Sequence, residues 1–302
     1  MKFASVRTHS GVQVGIVQGE EIALLPASFG DLVALVQGGA ERLAEAQRTL
    51  AAGNLPRLAR AGANLTPPIG RFRRDVICTG WNYWEHFDEG VGRREGQDVD
   101  RPKAPTFFTK GPDAIIGPHD PIAFDPRVSS KWDWEAEIVV VIGKTGRSIP
   151  AARAMDHVFG YCLANDVSQR DLQRRHGGQW LKGKSIDGTC PIGPWVTTAD
   201  EIDLPKVRLQ CFVNGDKRQD AVAAQMAFPV PQLISELSFG MTLCAGDILL
   251  TGTPSGVGAA RTPPLFLVEG DEVIVRGEGL GELRNRLQRV DLYGSSNIVI
   301  AD

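Results

Sequence analysis

Residues 132–144 read WDWEAEIVVVIGK. Side chains two apart on a strand share a face, so Glu135 and Glu137 point the same way, on the face continued by Val139 and Val141. Residues 138–142 are apolar without alternation, which predicts a strand covered on both faces in a rolled or sandwiched sheet. Two carboxylates thereby converge beside a core. Like charges held close in a half-buried place are costly unless a cation or a proton neutralises them, and a metal ion answers that need. The plainer alternative is an acidic strand end facing solvent.

On either side of this stretch, short apolar runs closed by turn signals recur at residues 76–78, 158–163, 207–213, 248–250 and 273–275, so most of residues 71–302 reads as β. Upstream, Val12, Val14 and Ile16, then Ile22 and Leu24, alternate around Gly19 as in an antiparallel meander. Apolar positions from Leu32 to Leu50 recur at helical spacing behind Asp31, a plausible N-cap, and predict one amphipathic helix. Pro56, Pro67 and Pro68 break any regular pattern, which places a linker near residues 55–70. A small N-terminal αβ domain, residues 1–70, is therefore expected before a larger domain, residues 71–302.

The composition agrees. The 302 residues are 42% hydrophobic and 23% charged, as expected of a compact fold. The 34 glycines and 19 prolines exceed the roughly 12% usual and favour short strands joined by many turns. Net charge is −3 with no long like-charged run, so nucleic acid and anionic membrane surfaces are not expected partners. Neither a signal peptide nor a membrane span is evident, so a cytoplasmic location is expected. Cys78, Cys162, Cys190, Cys211 and Cys244 are odd in number and scattered, and read as reduced and mostly buried.

Three further constellations carry chemistry. In residues 165–173 (NDVSQRDLQ), a helix starting at Asp166 would put Arg170 and Gln173 on its stripe; taken alone, Asp166 is more often a helix cap than a ligand. In residues 81–90 (WNYWEHFDEG), His86 and Glu89 are three apart, so on a short helix closing at Gly90 the carboxylate would orient the imidazole as a general base, or the pair is a surface contact. Residues 179–185 and 251–256 have the look of substrate-contact loops, because lysine and Gly-rich backbone N–H groups suit carboxylates and enolates.

In this order the segments resemble the fumarylacetoacetate hydrolase family. The matching stretches are 80–89 (GWNYWEHFDE), 105–117 (PTFFTKGPDAIIG), 134–144, 160–173 (GYCLANDVSQRDLQ), 180–194 (WLKGKSIDGTCPIGP) and 243–258 (LCAGDILLTGTPSGVG). The joint occurrence of ExE, NDxSxRDxQ, GKS and GDxxxTGTPxGVG is highly specific, and the likeness spans roughly residues 71–288.

The resemblance implies a mainly β fold with helices (α+β), a mixed β-sandwich roll, in a homodimer. It implies Mg²⁺ or Mn²⁺ held by Glu135, Glu137 and Asp166, a catalytic His86–Glu89 dyad on a lid with Lys184, and substrate contacts from Tyr83, Lys110, Arg170, Gln173, Gly252 and Thr253. The expected activity is hydrolysis of a carbon–carbon bond in a β-diketo acid of acylpyruvate, fumarylpyruvate or fumarylacetoacetate type, in catabolism of aromatic or sugar acids. The alternative, without an attacking water, is decarboxylation or isomerisation of a 2-oxo or 2-hydroxydienoate acid at the same metal site. The chain departs from many relatives in carrying Trp84 where they have a basic residue, and in a polar insertion at residues 90–104. There Arg93, Arg94 and Arg101 either reach a second substrate carboxylate or belong to a solvated loop.

Overall fold

The computed structural model describes residues 1–93 and 99–294. The run at 138–142 lies within the strand Ala136–Ile142, every residue of which is buried. Its side chains divide by parity. Ile138, Val140 and Ile142 enter one core with Leu163, Leu209 and Val275, while Val139 and Val141 enter a second with Cys162, Leu35 and Val36. A strand apolar on both sides needs two covers, and the chain supplies a second sheet for one face and helices for the other.

The larger sheet has twelve strands among the described residues. At its centre Ala136–Ile142 lies between Val158–Asn165 and Ile248–Leu250, both antiparallel to it. Beyond them run Cys190–Thr198 on one side and, parallel to Ile248–Leu250, Val76–Gly80 on the other. A five-stranded sheet packs over one face, ordered Asp216–Val222, Arg208–Val213, Glu272–Gly277, Gly281–Arg289 and Ile122–Phe124. Parallel and antiparallel pairs coexist in both, so the fold is a mixed, sheet-rich α+β roll. The runs read as strands in residues 71–302 lie in strands, except Val207, which precedes Arg208–Val213.

The N-terminal meander forms as Lys2–Thr8, Gly11–Gln18 and Glu21–Leu24. Lys2–Thr8 pairs with Cys190–Thr198, so residues 1–70 add strands to the sheet of residues 71–302. The expected single helix is in fact two, Leu32–Gln37 and Gly39–Ala51. The break falls at Gly38 and Gly39, where Gly39 takes φ +61°, a conformation that favours glycine. Asp31 caps the first helix, accepting the Ala34 N–H at 2.7 Å. Cys78, Cys162, Cys190 and Cys211 are buried thiols and Cys244 is half-buried. No helix among the described residues is long and apolar enough to cross a membrane.

Candidate active site

The end of the central strand makes the floor of a cavity. Ala136 pairs with Asn165, the last residue of the neighbouring strand, and the chain is tied again just beyond. Asp166 donates its N–H to the Glu135 carbonyl at 2.8 Å, and Asn165 Oδ1 accepts the Glu135 N–H at 3.0 Å. These ties hold Glu135 and Asp166 side by side, and Glu137 follows on the same face. Carboxylate oxygens of Glu135, Glu137 and Asp166 all lie within 4.8 Å of one another, and all three residues are buried.

Asp166 does not begin or cap a helix, as its spacing to Arg170 and Gln173 suggested. The helix is Arg170–Arg175, entered through Gln169, and the intervening Ser168–Gln169 pairs with Trp132–Asp133. Strand pairing takes up the residues between, which frees the Asp166 side chain for the cluster. Arg170 and Gln173 still meet, Nη1 donating to Oε1 at 3.1 Å.

Buried cations interlock with the carboxylates. Lys184 Nζ donates to Glu135 Oε2 at 2.6 Å and to Asp166 Oδ2 at 2.8 Å, and Lys110 Nζ donates to Asp166 Oδ1 at 2.6 Å. Arg170 pairs with Glu135 Oε1 at 2.7 Å. Burial alone would raise the Glu135 carboxyl, but Lys184 and Arg170 hold it down to about 2. Glu137 goes the other way. Its partner is a neutral donor, the Gly252 N–H at 2.7 Å, and burial followed by the charges of Asp166 and Glu135 pushes its carboxyl well above the usual range. A carboxylate so placed calls for another positive charge, and an all-oxygen donor set suits a hard divalent cation. The residues present fit such an ion.

The opposite wall is the short helix Trp84–Glu89, closing at Gly90. His86 Nδ1 lies 2.7 Å from Glu89 Oε1, and Glu89 Oε2 accepts the Gly256 N–H at 2.8 Å. Asn82, fully buried, roots the helix: its amide donates to the carbonyls of Phe228 at 3.1 Å and Thr251 at 2.8 Å, and its oxygen accepts the Phe228 N–H at 2.8 Å. Past the helix, the Arg93 guanidinium donates to the carbonyls of Ala260 and Arg261 and to the Thr262 hydroxyl.

Between floor and lid is a cavity of about 90 Å³. It is lined by His86, Glu89, Glu135, Glu137 and Lys184 and by Arg170, Gln173 and Thr253, whereas Asp166 is not on the lining. The Thr253 hydroxyl is already engaged, donating to the Ala136 carbonyl at 2.9 Å and accepting from Gln219 at 2.7 Å. Tyr83, Lys110 and Gly252 are not on the lining. Lys110 stands behind Asp166, Gly252 behind Glu137, and Tyr83 is buried where its backbone bridges to Met226. Of the insertion, Arg93 lines the cavity, whereas Arg101 pairs with Asp88 and lies over the Trp84 ring, 5.2 Å from its centre. Arg94 falls outside the described residues.

Of the further contributors, Trp180 lies in the expected contact loop 179–185, whereas Phe108, Trp81 and Asp133 were given no role from sequence. Phe108, Trp180 and Trp81 wall the cavity, with ring centres 5.2 and 4.8 Å apart in successive pairs, and Trp180 lies so close over Gly80 that a Cβ there would meet it at 2.2 Å. Asp133, fully buried, holds Arg170 Nε at 2.8 Å. Its signal was its place in WDWEAE, two residues before Glu135 on the same parity.

Residues 75–288 match the profile of the fumarylacetoacetate (FAA) hydrolase C-terminal domain. The mitochondrial oxaloacetate tautomerase Fahd2a of Rattus norvegicus is 42% identical over 282 residues, covering 92% of this chain and 87% of its own. The oxaloacetate tautomerase YisK of Bacillus subtilis is 37% identical, covering 95% and 100%. Among solved structures, a fumarylacetoacetate hydrolase from Exiguobacterium antarcticum superposes with a TM-score of 0.82 at 35% identity, covering 96% of this chain and 100% of that one. A maleylpyruvate hydrolase from Sphingobium sp. SYK-6, in complex with manganese(II) and pyruvate, does so with 0.76 at 29%, covering 96% and 99%. These relatives correct the expected activity. The proteins at 37–42% identity are named as tautomerases of a 2-oxo acid, which overturns the expected carbon–carbon bond hydrolase and favours the isomerase side of the alternative.

Proposed function

The chain belongs to the fumarylacetoacetate hydrolase family, and on that premise we propose that it is a divalent-cation-dependent tautomerase interconverting the keto and enol forms of oxaloacetate or a close 2-oxo dicarboxylate. The observation that carries this is the full-length likeness to oxaloacetate tautomerases. The charges of the site support it. In the cavity and directly behind it, Lys110, Lys184, Arg93, Arg170 and Arg174 balance Glu89, Asp133, Glu135, Glu137 and Asp166 among the described residues. A divalent cation tips that balance to +2, the complement of a dicarboxylate.

Tautomerisation moves one proton between C3 and the oxygen on C2 and needs no co-reactant. With its Nδ1–H donated to Glu89, His86 keeps a lone pair on Nε2, which takes the C3 proton and delivers it to the oxygen, or the reverse. Lys184 faces negative charge as it grows on that oxygen, and Arg170 with Gln173 orients a carboxylate. Mg²⁺ or Mn²⁺, held by Glu135, Glu137 and Asp166, supplies Lewis acidity to the 2-oxo group when bound. Trp81, Phe108 and Trp180 limit water around the reacting atoms.

The test follows enol absorbance after enol oxaloacetate is diluted into buffer. Enzyme should speed its loss, chelator should abolish the effect, and Mg²⁺ or Mn²⁺ should restore it. Release of pyruvate with no faster enol loss would reject the tautomerase in favour of a decarboxylase.

A further inference from the structure

Asp133 lies outside the cavity wall, yet four donors converge on its two oxygens. Oδ1 accepts the N–H groups of Trp134 at 2.9 Å and Gly258 at 2.7 Å; Oδ2 accepts the N–H of Ala259 at 2.9 Å and Arg170 Nε at 2.8 Å. The residue is fully buried. Gly258 packs so tightly here that a Cβ would stand 1.9 Å from the Leu265 carbonyl and 2.8 Å from Asp133 Oδ1.

Two parts of the site thus hang on one carboxylate. The first is Arg170, whose remaining nitrogens face Gln173 and Glu135. The second is the 258–262 segment, of which Ala259 and Ala260 line the cavity and whose carbonyls at 260 and 261 receive Arg93 from beyond the lid helix. We infer that Asp133 is a positioning residue, which registers the substrate-facing guanidinium of Arg170 against the backbone on which the lid lands. All four partners are N–H donors, so only an acceptor-only side chain satisfies them. An asparagine of the same shape must turn its NH₂ against one pair.

The inference takes the tautomerase as its reaction, so wild-type turnover of oxaloacetate is measured first; failure there rejects the tautomerase alone. Should it fail, affinity for oxalate with Mn²⁺ replaces kcat/KM in each comparison below. D133N should lower kcat/KM at least about tenfold while the far-ultraviolet spectrum and Mn²⁺ affinity hold, and amide exchange at Gly258 and Ala259 should quicken. R170K, which keeps the charge but lacks Nε, should show a kcat/KM loss of the same order although Asp133 is intact. Combining D133N with R170K should cost little beyond the larger single loss, because both cut one link. Multiplicative losses, unchanged amide exchange in D133N, or wild-type kinetics in R170K would each overturn the assignment. R170K and its amide exchange decide the matter if D133N does not fold.

Discussion

Floor and lid of the cavity are built on opposite principles. The floor carries Glu135, Glu137 and Asp166 on or beside two central strands, in a lattice of buried ion pairs. The lid carries His86 and Glu89 on a six-residue helix, rooted by Asn82 and fastened at its far end through Gly256 and Arg93. The proposed cation ligands sit where packing fixes them from every side. The proposed proton carrier sits where a few hydrogen bonds decide its place. Binding and proton transfer should therefore separate under mutation.

The hardest blow to the floor is Glu135→Ala, which removes one carboxylate of the proposed cation site and leaves Lys184 and Arg170 short of a buried partner. Turnover should fall at least about a thousandfold and folding stability by about 3–5 kcal/mol, read by kinetics, Mn²⁺ calorimetry and denaturation. On the lid, His86→Ala should lower kcat about a hundredfold with Mn²⁺ affinity intact. Loss of cation binding in that variant would erase the contrast between the two walls.

A pH series sharpens it further. Glu137 is raised above its ordinary 4.5 in the folded chain, so in chelator-treated protein its contribution is full below that pH and is lost as pH rises through the folded value. Glu135, held at about 2, keeps its contribution throughout that range and loses it only in stronger acid. The melting temperature of chelated protein should thus fall as pH rises above Glu137's ordinary value, and Mg²⁺ or Mn²⁺ should flatten the slope. A rising melting temperature in chelator would contradict the charge reading of the floor. Smallest is Arg101→Ala: this exposed pair with Asp88 lies off the cavity, and kcat/KM should change less than about twofold.

What could be read from sequence follows the same division. Parity along 138–142 announces a doubly covered strand and sets Glu135 and Glu137 on one face, because strand geometry is local and strict. The three-residue spacing of His86 and Glu89 likewise survives, since a helix turn fixes it. Asp166 was harder. A cap and a ligand look alike until the pairing of Ser168–Gln169 with Trp132–Asp133 is known. Asp133 stayed obscure, and Lys110 read as a substrate contact, for a related reason: each meets its partner across many residues of chain, Arg170 and Asp166 respectively. The Gly38–Gly39 break went unread because apolar spacing runs on through it.

The ammonium of Lys184, bridging Glu135 and Asp166, serves as a resident placeholder. Most of the nest is already charge-matched, so the polypeptide can reach its mature shape before any ion arrives. Loading of the proposed cation then becomes a late and reversible step, in contrast to zinc modules that stay unfolded without their ion. Protein refolded in chelator should accordingly regain full activity on simple addition of the salt, with no second round of folding.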